Sequence, residues 1–155
     1  MDELRWAPLF VMDLTVGRAA AQPIGSIPVG WRGVFPVDGG TFEGDRLRGT
    51  VNSGGADWIT MRSDTVMLID VRLTLLTHDG ATIGMTYAGL ATPHDPANFA
   101  RFAQREILPD EDMYIHTTPR FETGDDRYAW LNRVIAVTNG RRTEAGGSYH
   151  VFEIK

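Results

Sequence analysis

The chain has 155 residues, is 43% hydrophobic and carries a formal net charge of −5, which is one domain's worth of sequence (1–155) able to bury a sizeable core. It contains no cysteine, so disulfides, thiolate metal sites and a thiol nucleophile are excluded. No basic cluster exceeds the pair Arg141-Arg142, which argues against an electrostatic grip on nucleic acid.

The start, Met1-Asp2-Glu3-Leu4-Arg5, lacks the basic-then-apolar pattern of a signal peptide. No apolar run approaches the ~20 residues of a membrane span. The expectation is a cytoplasmic protein without a membrane partner. Glycines and prolines are spread along the chain rather than pooled in a linker, and turn signals recur between short apolar runs. That pattern predicts an all-β sandwich or barrel.

Leu9–Val16 reads as the first strand. Val29–Val37 and Phe42–Asn52 follow, with Gly39-Gly40 as the turn between them, and Asp57–Arg62 is a short strand behind a double glycine. Val66–Leu76 is the clearest element. Met67, Ile69, Val71, Leu73 and Leu75 share one face, and Asp70, Arg72 and Thr74 share the other, the period of two of a strand. Asp79-Gly80 signals a hairpin, from which Ala81–Gly89 returns. Phe99, Phe102 and Ala103 have helical spacing, so Ala97–Ile107 is expected as an amphipathic helix capping one mouth, with Pro96 in its first turn. Met113–Thr118, Tyr128–Thr138 and Ser148–Ile154 complete the strands. The predicted fold is a closed antiparallel β-barrel of about eight strands with one short capping helix, holding either a packed core or one small ligand.

Several blocks in order carry a resemblance: Ile24-Gly25-Ser26-Ile27-Pro28-Val29-Gly30, Gly39-Gly40-Thr41-Phe42-Glu43-Gly44, Gly54-Gly55-Ala56-Asp57-Trp58, Asp70-Val71-Arg72, His78-Asp79-Gly80-Ala81, Phe121-Glu122-Thr123 and Tyr128-Ala129-Trp130-Leu131-Asn132-Arg133. The chain resembles uncharacterised protein family 0311, the domain of unknown function 3237, over almost its whole length. The resemblance implies a lipocalin-like (calycin-like) barrel and little about the reaction. In the family's pattern the position of His116 is usually arginine and that of Tyr87 usually asparagine. These departures place a titratable imidazole and a phenol where the resemblance implies an arginine and an asparagine.

The residues suggest sites of their own. If Tyr128–Thr138 is a strand, Tyr128, Trp130 and Asn132 share a face whose rings and amide suit ligand binding; the alternative is a structural corner. Upstream, Tyr114, His116, Thr118, Arg120 and Glu122 have one parity, with Pro119 a candidate bulge or edge position. His116 can move protons near neutrality, Arg120 can steady an oxyanion, and Glu122 can orient the imidazole or act as a base. The alternative there is an exposed salt bridge. Asp57 beside Trp58 is a candidate base if buried, or else a carboxylate bonding backbone N–H groups of the preceding turn. Arg72 lines the interior or lies outside with Asp70. His78, His94, His116 and His150 lack metal-ligand spacing, so neither metal nor cofactor is expected.

These residues lead to the expectation of a metal-free acid/base enzyme, an isomerase or cyclase or a lyase or hydratase, acting on a small polyketide-like or aromatic substrate. His116, Asp57, Tyr87, Arg120 and Glu122 are the candidate catalytic groups. Trp58, Arg72, Tyr114, Tyr128, Trp130 and Asn132 are the candidate binding groups. A small-molecule carrier and a solid structural subunit are the alternatives, and a homo-oligomer is compatible with either use.

Overall fold

Alternation of inward apolar and outward polar side chains continues from strand to strand and curls one antiparallel sheet into a closed barrel. The structure is a computed structural model and describes residues 3–155. Its strands are β1 (Trp6–Val16), β2 (Gln22–Ile27), β3 (Gly30–Glu43), β4 (Arg48–Val51), β5 (Gly55–Arg62), β6 (Met67–Thr77), β7 (Thr82–Pro93), β8 (Met113–Glu122), β9 (Ala136–Arg142) and β10 (Gly147–Ile154). β1 and β2 lie end to end along one flank of β3, and β4 and β5 lie end to end along the other, so ten segments make eight staves. Pairing of β1 with both β10 and β3 closes the wall. Among the described residues no helix is long and apolar enough to cross a membrane.

Gly39-Gly40 is not a turn. β3 runs straight through it, and β1 crosses so closely that a Cβ on Gly40 would meet the Asp13 carbonyl oxygen at 2.1 Å. The glycines serve close approach of two backbones, and the chain reverses after Glu43 instead, splitting the expected Phe42–Asn52 strand. β8 keeps its alternation through Pro119, which pairs with Tyr87 on β7. The β8–β9 pairing stops at Thr117, so the missing N–H costs no ladder bond.

The capping helix is shorter than its spacing predicts. A 3-10 turn, Pro96–Asn98, runs into α1 (Phe99–Ala103), and the Asp95 carboxylate accepts the Ala97 N–H at 2.8 Å as cap. The helix ends because Arg105 adopts φ +65°. The Arg105 N–H bonds to the Phe102 carbonyl and the Glu106 N–H to the Arg101 carbonyl, the pair of a Schellman stop.

The largest departure concerns Tyr128–Thr138. Asp126–Arg133 is a run of 3-10 helix, and β9 begins only at Ala136. Its period of three turns Tyr128 and Leu131 inward together, and this run plugs one end of the barrel. There Phe10 packs edge-on against Phe42 and Phe121, with ring centroids 5.6 and 5.9 Å apart, and Ile83, Met85 and Leu131 fill the remaining space. Each such side chain contributes roughly 1.5–3 kcal/mol by leaving water.

Candidate active site

The opposite end is hollow. A cavity of about 410 Å3 opens between α1, the end of β5, the start of β6, and the β9–β10 hairpin. Its walls are apolar, with Phe35, Ile59, Met61, Met67, Ile69 and Ile115 among them. Such a volume with few polar groups is typical of small-molecule sites.

Three titratable groups lie at its floor: Asp57, Tyr87 and Tyr149. Asp57 points inward because β5 alternates. The same alternation sends Trp58 outward, where it is 44% exposed and lies under the Arg32 guanidinium, so the expected place for Trp58 in the pocket is corrected. The β5–β6 ladder holds at Asp57↔Val71 and at Thr60↔Leu68 and is open between them. Into that gap Asp57 turns Oδ1, which accepts the Asp70 N–H at 3.2 Å. The carboxylate thus bonds a backbone N–H across the sheet, not one in its own preceding turn. Burial pushes its pKa up from 3.8 to about 7, the Asp70 N–H opposes this, and the Asp70 charge adds to it.

Tyr87 is buried, and its hydroxyl has no hydrogen-bond partner among the described residues. Its ring lies 5.3 Å from that of Tyr149, tilted by 58°. Burial first, then the neighbouring Tyr149 and Asp57, holds the Tyr87 phenol well above its usual range, and burial with Asp57 raises Tyr149 in the same direction. Both phenols therefore keep their protons at neutral pH and can only donate toward an oxyanion. The Tyr149 ring fits because β9 carries glycine opposite it: a Cβ at Gly140 would meet Tyr149 Cε1 at 2.9 Å.

Arg18, Arg105 and Arg142 edge the mouth. Arg105 stacks on Phe35 at 4.3 Å, and Arg142 stacks on Phe102 at 4.8 Å. Burial lowers the pKa of Arg105 and Arg142, and in each case the neighbouring guanidinium groups push the same way. None of the three pairs with a described carboxylate. Among the described residues no three His, Asp or Glu side chains gather as a metal site would need.

The other expected site residues lie elsewhere. β8 presents Tyr114, His116, Arg120 and Glu122 to the outer surface, because Ile115, Thr117 and Phe121 take the inner positions. His116 edges a shallow outer groove, where its Nδ1–H donates to the Thr138 carbonyl at 2.8 Å and its ring packs 4.4 Å from Tyr114. The expected cluster of His116, Arg120 and Glu122 inside the barrel is corrected by this register. Arg72 is exposed with Asp70 on the outside of β6. Tyr128, Trp130 and Asn132 belong to the plug. Tyr128 donates its O–H to Asp79 Oδ1 at 2.9 Å, Trp130 stacks under Arg46 at 4.3 Å, and Asn132 bridges the Thr123 N–H and carbonyl at 2.9 Å each. Of the expected residues, only Asp57 and Tyr87 meet in the cavity. Tyr149 and the three arginines were not expected there, although Tyr149 shares the parity of Val151 on a strand that the sequence does predict.

The model of the family described as protein of unknown function (DUF3237) matches residues 4–154. The chain belongs to this family. A UPF0311 protein of Rhodopseudomonas palustris is 28% identical over 134 residues, 86% of each chain. A β-barrel-like protein from Acinetobacter baumannii is 29% identical, with a TM-score of 0.86 over 100% of this chain and 98% of that one. An enzyme from Penicillium herquei shares the fold alone, at 21% identity and a TM-score of 0.75 over 100% of this chain and 97% of that one.

Proposed function

We propose that the protein is an acid/base enzyme that moves a proton on a small organic molecule seated in the barrel, as an isomerase, cyclase or lyase. The observation that carries this reading is a carboxyl group poised near pKa 7 beside two protonated phenols at the floor of an apolar cavity. Ionised Asp57 takes a proton from the carbon next to a substrate carbonyl. The electron pair moves onto the carbonyl oxygen, toward which Tyr87 or Tyr149 donates. Asp57 then returns the proton to the same or a conjugated carbon. Fixed donors in a water-poor cavity act strongly on charge as it develops, and a poised base contributes roughly 10²–10⁴ in rate. The same fold serves an enzyme in Penicillium herquei, which is consistent with catalysis.

The alternative, a carrier, predicts an apolar floor under a polar rim. The polar floor favours the enzyme. The test is deuterium exchange at the α-carbons of 2-tetralone in heavy water, followed by proton NMR. Wild-type protein should accelerate exchange with a rate that rises through about pH 7. Equal acceleration by Asp57→Asn would remove the carboxylate from the chemistry.

A further inference from the structure

The rim is costly to build, and no described carboxylate pairs with its three guanidinium groups. Arg105 occupies the position after α1 where a Schellman stop usually has glycine, at φ +65°. An arginine there forgoes the easier backbone and places its guanidinium over Phe35 at the mouth. Strained positions of this kind tend to be kept where the side chain is needed. Arg142 comes to the same mouth from β9. Its Nη1 donates a long bond, 3.4 Å, to the Glu106 carbonyl, its Nη2 meets only the weak acceptor Met67 Sδ at 3.9 Å, and its stacking on Phe102 orients the fork. Arg18 arrives from the β1–β2 connection and spends one Nη2 donor on the Thr143 carbonyl at 3.1 Å. A guanidinium has five donors, so most of those at the rim remain free. The chain as a whole has a net charge of −5, which makes three cations without a described carboxylate partner a local reversal.

The rim and the floor also lie in sequence along the cavity. Tyr149 feels the charges of both Arg142 and Asp57, and all three line the one cavity. Tyr87, with its unpartnered hydroxyl, lies at the floor. A ligand that satisfied both ends would be anionic at one end, apolar along its body, and oxygenated at the other.

We propose that the ligand of the cavity is an aromatic or polycyclic carboxylate, its carboxylate forked by Arg18, Arg105 and Arg142 at the mouth and its far oxygen facing Tyr87. This rests on the cavity being the reaction site proposed above. The planar fork of arginine matches a carboxylate in two parallel bonds, and the apolar walls accept a ring system.

The experiment measures binding of 2-naphthoate and of its neutral isostere 2-naphthamide by fluorescence and calorimetry. Wild type should bind the acid about ten- to hundredfold more tightly than the amide, a preference that weakens with added salt. Arg142→Gln should remove most of the preference. Arg105→Gly should remove part of it while the melting temperature rises or holds, since glycine suits that backbone. A merely structural arginine would not show that opposition. Equal binding of acid and amide, an acid affinity unchanged in both variants, or failure of both probes to bind at millimolar concentration would each overturn the proposal. If the acid preference holds while Asp57→Asn still exchanges 2-tetralone normally, the reaction reading falls and anion recognition stands.

Discussion

At the end closed by the 3-10 run, Phe10, Phe42, Met85, Phe121 and Leu131 fill the barrel, and the Tyr128 hydroxyl reaches the Asp79 carboxylate. At the other end Tyr87 and Tyr149 look into about 410 Å3, and the Tyr87 hydroxyl, beside Tyr149, has no hydrogen-bond partner among the described residues. The same strands, with the same alternation, run through both. The difference lies in what crosses the opening. Eight residues of 3-10 helix send Tyr128 and Leu131 down into one mouth, whereas the short α1 lays only Phe102 over the other and then stops. Polar groups are paired where the barrel is full and left available where it is empty. Burial of a carboxyl and a phenol without full partners costs stability, and a cavity that retains them is organised around something other than stability.

The most severe way to test that contrast is to neutralise the floor. Asp57→Asn should lower proton exchange on 2-tetralone by roughly 10²–10⁴-fold. It should also stabilise the protein. The native pKa of about 7 lies above the ordinary 3.8, so between those values the folded state holds a proton that the unfolded chain has lost. Wild-type stability therefore falls as pH rises from about 4 to 7 and levels off above. The Asn variant should lose that slope and gain on the order of 2 kcal/mol at pH 8. Urea melts at pH 5 and pH 8 measure it. A variant no more stable at pH 8, with an unchanged slope, would mean that the carboxyl is not perturbed.

Leu131→Ala at the packed end should do the reverse. It opens a void where nothing was meant to bind and should cost about 2–5 kcal/mol. Affinity for 2-naphthoate in the folded variant should not change. Loss of affinity in proportion to loss of stability would show that the two ends are one cooperative unit.

A single chemical change, removal of a phenol oxygen, should have opposite signs at the two ends. Tyr128→Phe deletes a hydrogen bond to a carboxylate and should cost about 1–2 kcal/mol. Tyr87→Phe deletes an oxygen with no partner, so stability should hold or rise by up to about 1 kcal/mol while exchange slows roughly tenfold. Thermal melts of both variants, side by side, decide it.

The barrel itself was legible because period-two alternation is a local signal. β6 and the Asp79-Gly80 hairpin follow the sequence closely, and the one inward carboxylate of β5 could be singled out. Two errors had a common origin. Tyr128, Trp130 and Asn132 alternate as well as any strand does, and only the way the segment packs across the mouth makes it helical. On β8 His116, Arg120 and Glu122 do share one face, but parity does not say which face is inside. The apolar partners Ile115, Pro119 and Phe121 carry that information and favour the other face. The rim was not legible at all. Arg18, Arg105 and Arg142 are separated by most of the chain and meet only through closure of the barrel.

His116 offers the mildest test of the comparison, and the one with the clearest null. Its ring lies on the outer wall, along a groove separate from the cavity, with its Nδ1–H spent on the Thr138 carbonyl. His116→Ala should change stability by no more than about 0.5 kcal/mol, as surface substitutions do. It should leave 2-tetralone exchange and its pH profile unchanged. A shifted pH profile in this variant would mean that a proton relay crosses the barrel wall, and that inside and outside are not chemically separate in the way the alternation of β8 implies.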